Sequence, residues 1–311
     1  MYSLAYNADI GHYDNSSADN YVDQNLLGIV DLGLTSSATL KISPEYLIGH
    51  DERGSTFGTA TTTPNTWNSA GLYGTFGYGA EEARGHVDLD AGYTDRQYQN
   101  NRWLTVAYDK KLTNVGGTVY LRLQPKTSLL FNVKQTVISY QDPASNLSSK
   151  EQRLLLGAKW EATAQTTGEV KVGKVQKKFD SGLETFTGGS WEGSVRWTPV
   201  SYVNVDMVSS RQPTETTLAG STTILVSNSG ANVAYDLNDR VTLNANGYQI
   251  KEDFVGAGRN DNTNIYGLKA EYKFRSWLLG GVEYTNSRKT SSDPLNDYSR
   301  NIFMLSVRSV L

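Results

Sequence analysis

The stretch 153–197 decides the fold: RLLLGAKWEATAQTTGEVKVGKVQKKFDSGLETFTGGSWEGSVRW. In its first segment Leu154, Leu156, Ala158, Trp160 and Ala162 alternate with Arg153, Leu155, Gly157, Lys159, Glu161 and Thr163. After Gln165-Thr166-Thr167-Gly168 the alternation resumes, with Val170 and Val172 against Glu169 and Lys171. After a polar loop it resumes again, with Trp191, Gly193, Val195 and Trp197 against Ser190, Glu192, Ser194 and Arg196. Successive side chains of a strand point to opposite faces, so a period of two predicts three strands here. One face is apolar, small or aromatic. The other carries lysine, glutamate and arginine in series.

The same pattern extends in both directions. Upstream it predicts strands over about 2–12, 24–34, 39–49, 69–79, 85–97, 116–124 and 128–140. Downstream it predicts six more, marked by Val203/Val205/Met207, Ala231/Val233/Tyr235, Val241/Leu243/Ala245, Tyr266/Leu268/Ala270, Leu278/Gly280/Val282 and Phe303/Leu305/Val307. Pro44, inside the third, argues against a central position for that strand. The run 102–108, RWLTVAY, resembles a strand but is read as part of a loop extension within 98–115. A strand there would break the alternation of short connections (35–38, 80–84, 125–127, 165–168, 198–201, 236–239, 275–276) with longer polar ones.

Tight turns on one side and longer loops on the other are the asymmetry of an outer-membrane barrel. A soluble sandwich is the alternative. Its core would be underfilled by Ala158, Gly193, Ala245, Gly247 and Gly280, and no linker divides the chain. The expected fold is therefore all-β: one transmembrane antiparallel up-and-down barrel over 1–311, of about 16 strands with about 18 as the fallback. Met1 leads directly into the alternating Tyr2-Ser3-Leu4-Ala5-Tyr6. The chain is accordingly expected to be a mature segment with a start Met added and its targeting signal removed.

Composition agrees with this class. The 311 residues are 38% hydrophobic and 20% charged. No apolar run reaches the ~18 residues of a transmembrane helix, while a barrel shows only alternating segments diluted by its polar interior. Cysteine is absent, which removes disulfides and thiolate metal sites. A net charge of −3 gives no pull toward nucleic acid.

In a barrel the charged face lines the lumen. That set is Lys41, Glu45, Asp88, Asp90, Arg96, Arg122, Lys134, Arg153, Lys159, Glu161, Glu169, Lys171, Glu192, Arg196, Asp206, Arg240, Lys269, Glu271, Lys273, Glu283 and Arg308. It is mixed in sign, so many of its members are expected to pair across strands and hold the wall. Tyr120 and Tyr248 are expected as aromatic platforms on the same face. Trp197, Tyr202, Tyr235, Phe274 and Trp277 fall beside short turns, where amphipathic rings suit a lipid–water boundary. Outer-membrane lipid is thus an expected partner.

Catalysis finds little footing. Of three histidines (His12, His50, His86), none has a zinc-binding spacing. A hydrolase would have to pair His12 or His50 with a loop serine such as Ser16 or Ser55. Carboxylates such as Glu81-Glu82 sit in a turn, where solvation explains them. Neither enzyme activity nor a cofactor is expected.

Four segments carry a family likeness: LLGAKWEATAQTTGEVKVGKVQKKFD (155–180), SWEGSVRWTP (190–199), SSRQPTET (209–216) and EYKFRSWLLGGVEYTNSRKTSSDPLNDYSRN (271–301). They resemble the EpsL-type β-barrel porins that accompany exopolysaccharide biosynthesis and export systems, and the likeness covers roughly 85–311. The resemblance implies an outer-membrane channel with a secreted polysaccharide as its substrate, working with periplasmic export components and an inner-membrane polymerase. A general or sugar-uptake porin is the alternative within the same fold.

Overall fold

Alternation becomes sixteen strands in one sheet, seen in a computed structural model that describes residues 1–51, 61–80, 83–163, 165–216, 218 and 220–309. The strands are β1 (Tyr2–Gly11), β2 (Tyr21–Thr35), β3 (Ala38–Asp51), β4 (Asn65–Tyr78), β5 (Gly85–Tyr98), β6 (Lys110–Gln124), β7 (Thr127–Tyr140) and β8 (Ser149–Thr163). They continue as β9 (Thr166–Phe179), β10 (Phe186–Val200), β11 (Val203–Glu215), β12 (Thr223–Asn238), β13 (Val241–Phe254), β14 (Arg259–Arg275), β15 (Leu278–Ser291) and β16 (Tyr298–Ser309). Each strand pairs antiparallel with the next, and the order follows the chain without a crossover. The wall is an up-and-down, nearly closed barrel. β1 and β16 are the two ends of the order, and no ladder joins them among the described residues.

One rim has connections of two residues: 36–37 between β2 and β3, 125–126 between β6 and β7, 201–202 between β10 and β11, 239–240 and 276–277. The opposite rim carries longer segments such as 12–20, 99–109 and 141–148. The outward face is apolar across a band. Leu156 (61% exposed), Leu268 (62%) and Phe303 (81%) stand bare on it, as groups do whose solvent is lipid. On β14 the band runs from Tyr266 to Phe274, about 27 Å of strand at ~3.4 Å per residue. A barrel tilt of ~35–45° reduces this to about 20 Å of membrane depth.

Beyond the band, on the long-loop side, the strands continue with polar residues outward (Asn260, Asn262 and Asn264 on β14; Lys174, Gln176 and Lys178 on β9). Here the strands overrun the boundaries set by alternation: β4 begins at Asn65, β6 at Lys110, β12 at Thr223 and β14 at Arg259. Outside the membrane the outer face needs no apolar side chains, so hydrogen-bonded ladders persist without the pattern that marks them. The run 102–108 is a turn of helix, α1 (Arg102–Thr105), continued by a 3-10 turn over Val106–Tyr108. Arg102 closes it with a two-pronged ion pair to Asp109 (2.9 and 2.7 Å).

Pro44 sits in the middle of β3, an interior strand, contrary to the expectation it raised. The β2–β3 ladder accommodates it by omitting the steps between Leu27↔Glu45 and Val30↔Ile42, while Pro44↔Leu72 stays in register on the β4 side. Proline's missing N–H is thereby spent on one side only, and the Pro44 ring lies over Gly28.

The wall bends sharply at the stretch that decided the fold. β8 and β10, and β9 and β11, are not ladder neighbours, yet their Cα atoms come within 8 Å. Two inward glycines permit this. A Cβ on Gly157 would meet Val170 O at 2.1 Å, and one on Gly173 would meet Leu154 O at 2.0 Å. Both obstacles are backbone, so the wall itself would have to move. Gly157→Val or Gly173→Val is therefore expected to cost about 3 kcal/mol or more and to abolish the fast-migrating folded band in heat-modifiable gel electrophoresis. Gly33→Val, at a position with no atom within 4 Å of the added Cβ, keeps that band. A folded Gly173→Val barrel would show the bend to be unnecessary.

Candidate permeation path

Inward residues of β2 to β10 enclose a cavity of about 730 Å³. A second, of about 510 Å³, adjoins the short-turn rim, and the two share Thr39, Asp88 and Tyr120. The strand period puts every second side chain of these strands into this space. Of the expected lumen set, Lys41, Asp88, Asp90, Lys134, Arg153, Lys171 and Glu192 line the larger cavity. Arg122, Lys159 and Glu161 line the rim cavity.

The charges are partly segregated. Asp31, Asp88 and Asp90 come from β2 and β5, while Lys134, Arg153 and Lys171 face them from β7, β8 and β9. Several are tied down. Glu192 takes Lys171 (2.5 Å) and Arg153 (3.3 Å), and Lys171 also reaches Glu169 (2.8 Å). Asp88 takes His86 (2.7 Å), and Asp90 accepts from Thr75 Oγ1 (2.8 Å). Lys159 Nζ stands 5.8 Å over the Tyr120 ring. Tyr73 faces the cavity with its hydroxyl on Thr94 Oγ1 (2.9 Å). The Tyr248 ring occupies the space beside Gly230 that a Cβ there would fill.

The remaining residues of the set are spread along the wall. Arg96 stacks on Trp67 at 3.9 Å. Glu45 stands opposite Leu27 and Gly71. Arg196 and Asp206 form a two-pronged pair (2.6 and 3.1 Å), and Lys269 pairs with Glu271 (3.1 Å) with Glu283 as its ladder partner. Lys273 and Arg240 flank a groove beside the short turns, where Arg240 reaches the Tyr272 hydroxyl at 3.5 Å. Arg308 is opposite Leu279 near the end of β16. Trp197, Tyr202, Tyr235, Phe274 and Trp277 are all exposed at the short-turn end of the outward face. Tyr202 and Tyr235 meet edge to face with ring centres 5.8 Å apart.

His12 Nδ1 contacts Asn20 Nδ2 at 3.0 Å, and Ser16 donates to Asp19 at 2.5 Å. His50 pairs with Asp23 at 2.9 Å and stacks on Tyr21. Ser55 and Glu81-Glu82 lie outside the described residues.

Toward the long loops the lumen narrows. Lys177, with no exposed side chain, is ion-paired to Glu215 on β11 and to Glu151 on β8 (3.5 Å). Glu215 also takes Lys110 from β6 (3.1 Å) and the Tyr140 hydroxyl from β7 (3.2 Å). β6 and β11 are five strands apart, about 24 Å around the wall at ~4.8 Å per strand. A contact at 3.1 Å between them must cross the lumen. Val175, Phe179, Ile224 and Phe254 are buried at the same end. A second cluster stands there: Asp261 holds Arg259 (2.6 Å) and Lys289 (2.8 Å), and Lys289 reaches Glu252 (3.5 Å). Alternation did not single out this clasp. Lys110, Glu151, Lys177 and Glu215 lie outside the apolar band, where no lipid-facing partner marks which side of a strand is inward.

A family profile described as "Putative beta-barrel porin 2" matches residues 2–310. No curated protein matches the chain. Among solved structures, the FrpB iron transporter from Neisseria meningitidis (F5-1 variant) is similar at 13% identity and a TM-score of 0.55, over 98% of this chain and 62% of that one. The ferripyoverdine receptor of the outer membrane of Pseudomonas aeruginosa is similar at 9% identity and a TM-score of 0.54, over 92% and 52%. The chain thus spans between half and two thirds of the length of these barrels. At such identities the likeness is one of fold.

Removing one partner of a buried ion pair strands the other, at a cost of about 3–5 kcal/mol. Glu215→Gln leaves Lys110 and Lys177 facing each other without their shared anion. The expected outcome is a several-fold rise in single-channel conductance in planar bilayers, with Arg196→Gln, at the exposed short-turn rim, unchanged. Equal conductance for Glu215→Gln and the unaltered protein would mean that the clasp does not limit flow.

Proposed function

The chain belongs to the beta-barrel porin 2 family, whose members are outer-membrane β-barrels, and from that premise we propose that it is the export channel for a secreted exopolysaccharide. The carrying observation is the asymmetry of the lumen: a polar-lined cavity opens at the short-turn rim and narrows to the Glu215 clasp toward the long loops, and in outer-membrane barrels the short turns are periplasmic. A polymer delivered from the periplasm meets the wide end first.

The chemistry of the wall supports the same substrate class. A sugar chain slides only if each contact is weak and many are available. Tyr73 and Tyr120 offer apolar ring faces to pyranose rings, with their hydroxyl ends polar. Acids and bases of both signs offer hydrogen bonds to sugar hydroxyls, and the pairing of Lys171 and Arg153 with Glu192 keeps either sign from dominating. The EpsL-type segments support the polysaccharide over a small nutrient. Periplasmic export components and an inner-membrane polymerase are the partners that follow. Nothing in this reading calls for catalysis.

Deleting the gene is expected to remove the secreted polysaccharide, and restoring it to bring the polymer back. Tyr73→Ala with Tyr120→Ala is expected to lower polymer output about fivefold per ring at ~1 kcal/mol each, with barrel folding on gels unchanged. Undiminished polymer from the deletion strain sinks the proposal. Loss of small-sugar uptake in that strain would point to a nutrient porin instead.

A further inference from the structure

We propose that the outer surface of β8–β11, just beyond the apolar band on the external side, binds the phosphorylated saccharide headgroup of the outer-leaflet glycolipid. Lys150, Lys174 and Lys178 project outward there and are exposed. Lys150 and Lys178 are direct partners in the β8–β9 ladder, a placement in which like charges repel. None of the three has an ion-pair partner among the described residues. Their neighbours on that face, Gln152, Gln176, Thr187 and Gly189, bring no carboxylate. Glu151, next to Lys150 in the chain, is buried on the inner face against Lys177 (3.5 Å), and Asp180 and Glu184 are in the 180–185 loop.

The patch continues onto β10 and β11. Trp191 is flanked in the ladders by Val172 and Arg211. Its indole N–H donates to Ser209 Oγ at 3.0 Å, and the Arg211 guanidinium stands 5.2 Å from its ring centre. An anchored tryptophan with a cation over it marks the polar edge of the lipid band. Lys174 lies at the same edge, opposite Leu154, with Val172 and Leu156 continuing the lipid face below. Elsewhere on the extension the signs mix: Lys111 pairs with Asp95 (3.8 Å), and Asp253 shares the outward face of β13 with Lys251.

A cation-only sector adjoining hydrocarbon, on the side facing the outer leaflet, complements a lipid that carries phosphate at that depth. Lys174 and Arg211 are two strands apart and two residues out of row, about 12 Å at ~4.8 Å per strand and ~3.4 Å per residue, a span suited to two phosphates on one headgroup. Gln152 and Gln176, between Lys174 and the Lys150–Lys178 pair, suit its sugars.

The test uses the full chain folded in detergent micelles, with binding of purified lipopolysaccharide measured by native mass spectrometry. Lipopolysaccharide stripped of its phosphates and inorganic phosphate serve as comparison probes, and gel mobility checks the fold of each variant. K150Q/K174Q/K178Q is expected to weaken binding about a hundredfold, and K150R/K174R/K178R to retain it. R275Q, at the opposite, short-turn rim, is expected to bind as the unaltered protein does. Equal binding of the phosphate-free lipid, an equal loss from R275Q, or retention by the triple Lys→Gln variant would overturn the proposal. Displacement of the lipid by equimolar inorganic phosphate would overturn it in favour of a free-anion site. Capture of an acidic polysaccharide with no binding of the lipid would also overturn it.

Discussion

Within hydrocarbon, each backbone N–H and C=O needs a partner from the protein itself. Everything else in this molecule follows from how that requirement is met. Sixteen strands, each hydrogen-bonded to its chain neighbours, leave one face to lipid and one to the lumen. The lipid face then tolerates any apolar or small residue, because lipid fills around it. This is why Gly193, Ala245 and Gly280 can share a face with Leu268 and Phe303. The lumen face carries the charges, and they neutralise each other locally, as Lys171, Arg153 and Glu192 do.

Closing such a wall requires curvature, and curvature is concentrated. Gly157 and Gly173 occur on the inward face of β8 and β9, where backbone oxygens of the adjacent strand occupy the place of a side chain. Beyond Trp191↔Arg211 the β10–β11 ladder ends, and Glu215, on the parity of the outward Met207, meets Lys177 of β9. The departure of β11 from β10 positions the residues that narrow the lumen. Proline in β3 is handled by the same economy: the ladder gives way on one side and holds on the other.

The barrel is also taller than the membrane. Its external extension has no lipid to satisfy, so its outer face is free to carry charge and its inner face to pack a core. Phe179, Phe254 and Ile224 form that core, and Lys150, Lys174 and Lys178 face the opposite way from the same strands and their neighbours. Wet cavity, clasp and cationic sector occupy successive depths of a single continuous wall.

Alternation in the sequence determined the class of fold, the strand number and the two faces in the membrane. Lipid imposes a strict period of two, and Leu154-Leu156-Ala158 or Tyr266-Leu268-Ala270 records it residue by residue. Loop lengths determined which rim is which. The pattern stops where the membrane stops, so β4, β6, β12 and β14 begin earlier than it indicates, and 102–108 is helical although rich in strand formers. Only the tertiary structure decided that Lys110, Glu151, Lys177 and Glu215, on four strands, converge across the lumen. Glu215 has the parity of the outward Met207 and Arg211, and it reaches the lumen only where β11 has left the β10 ladder, which no local spacing encodes.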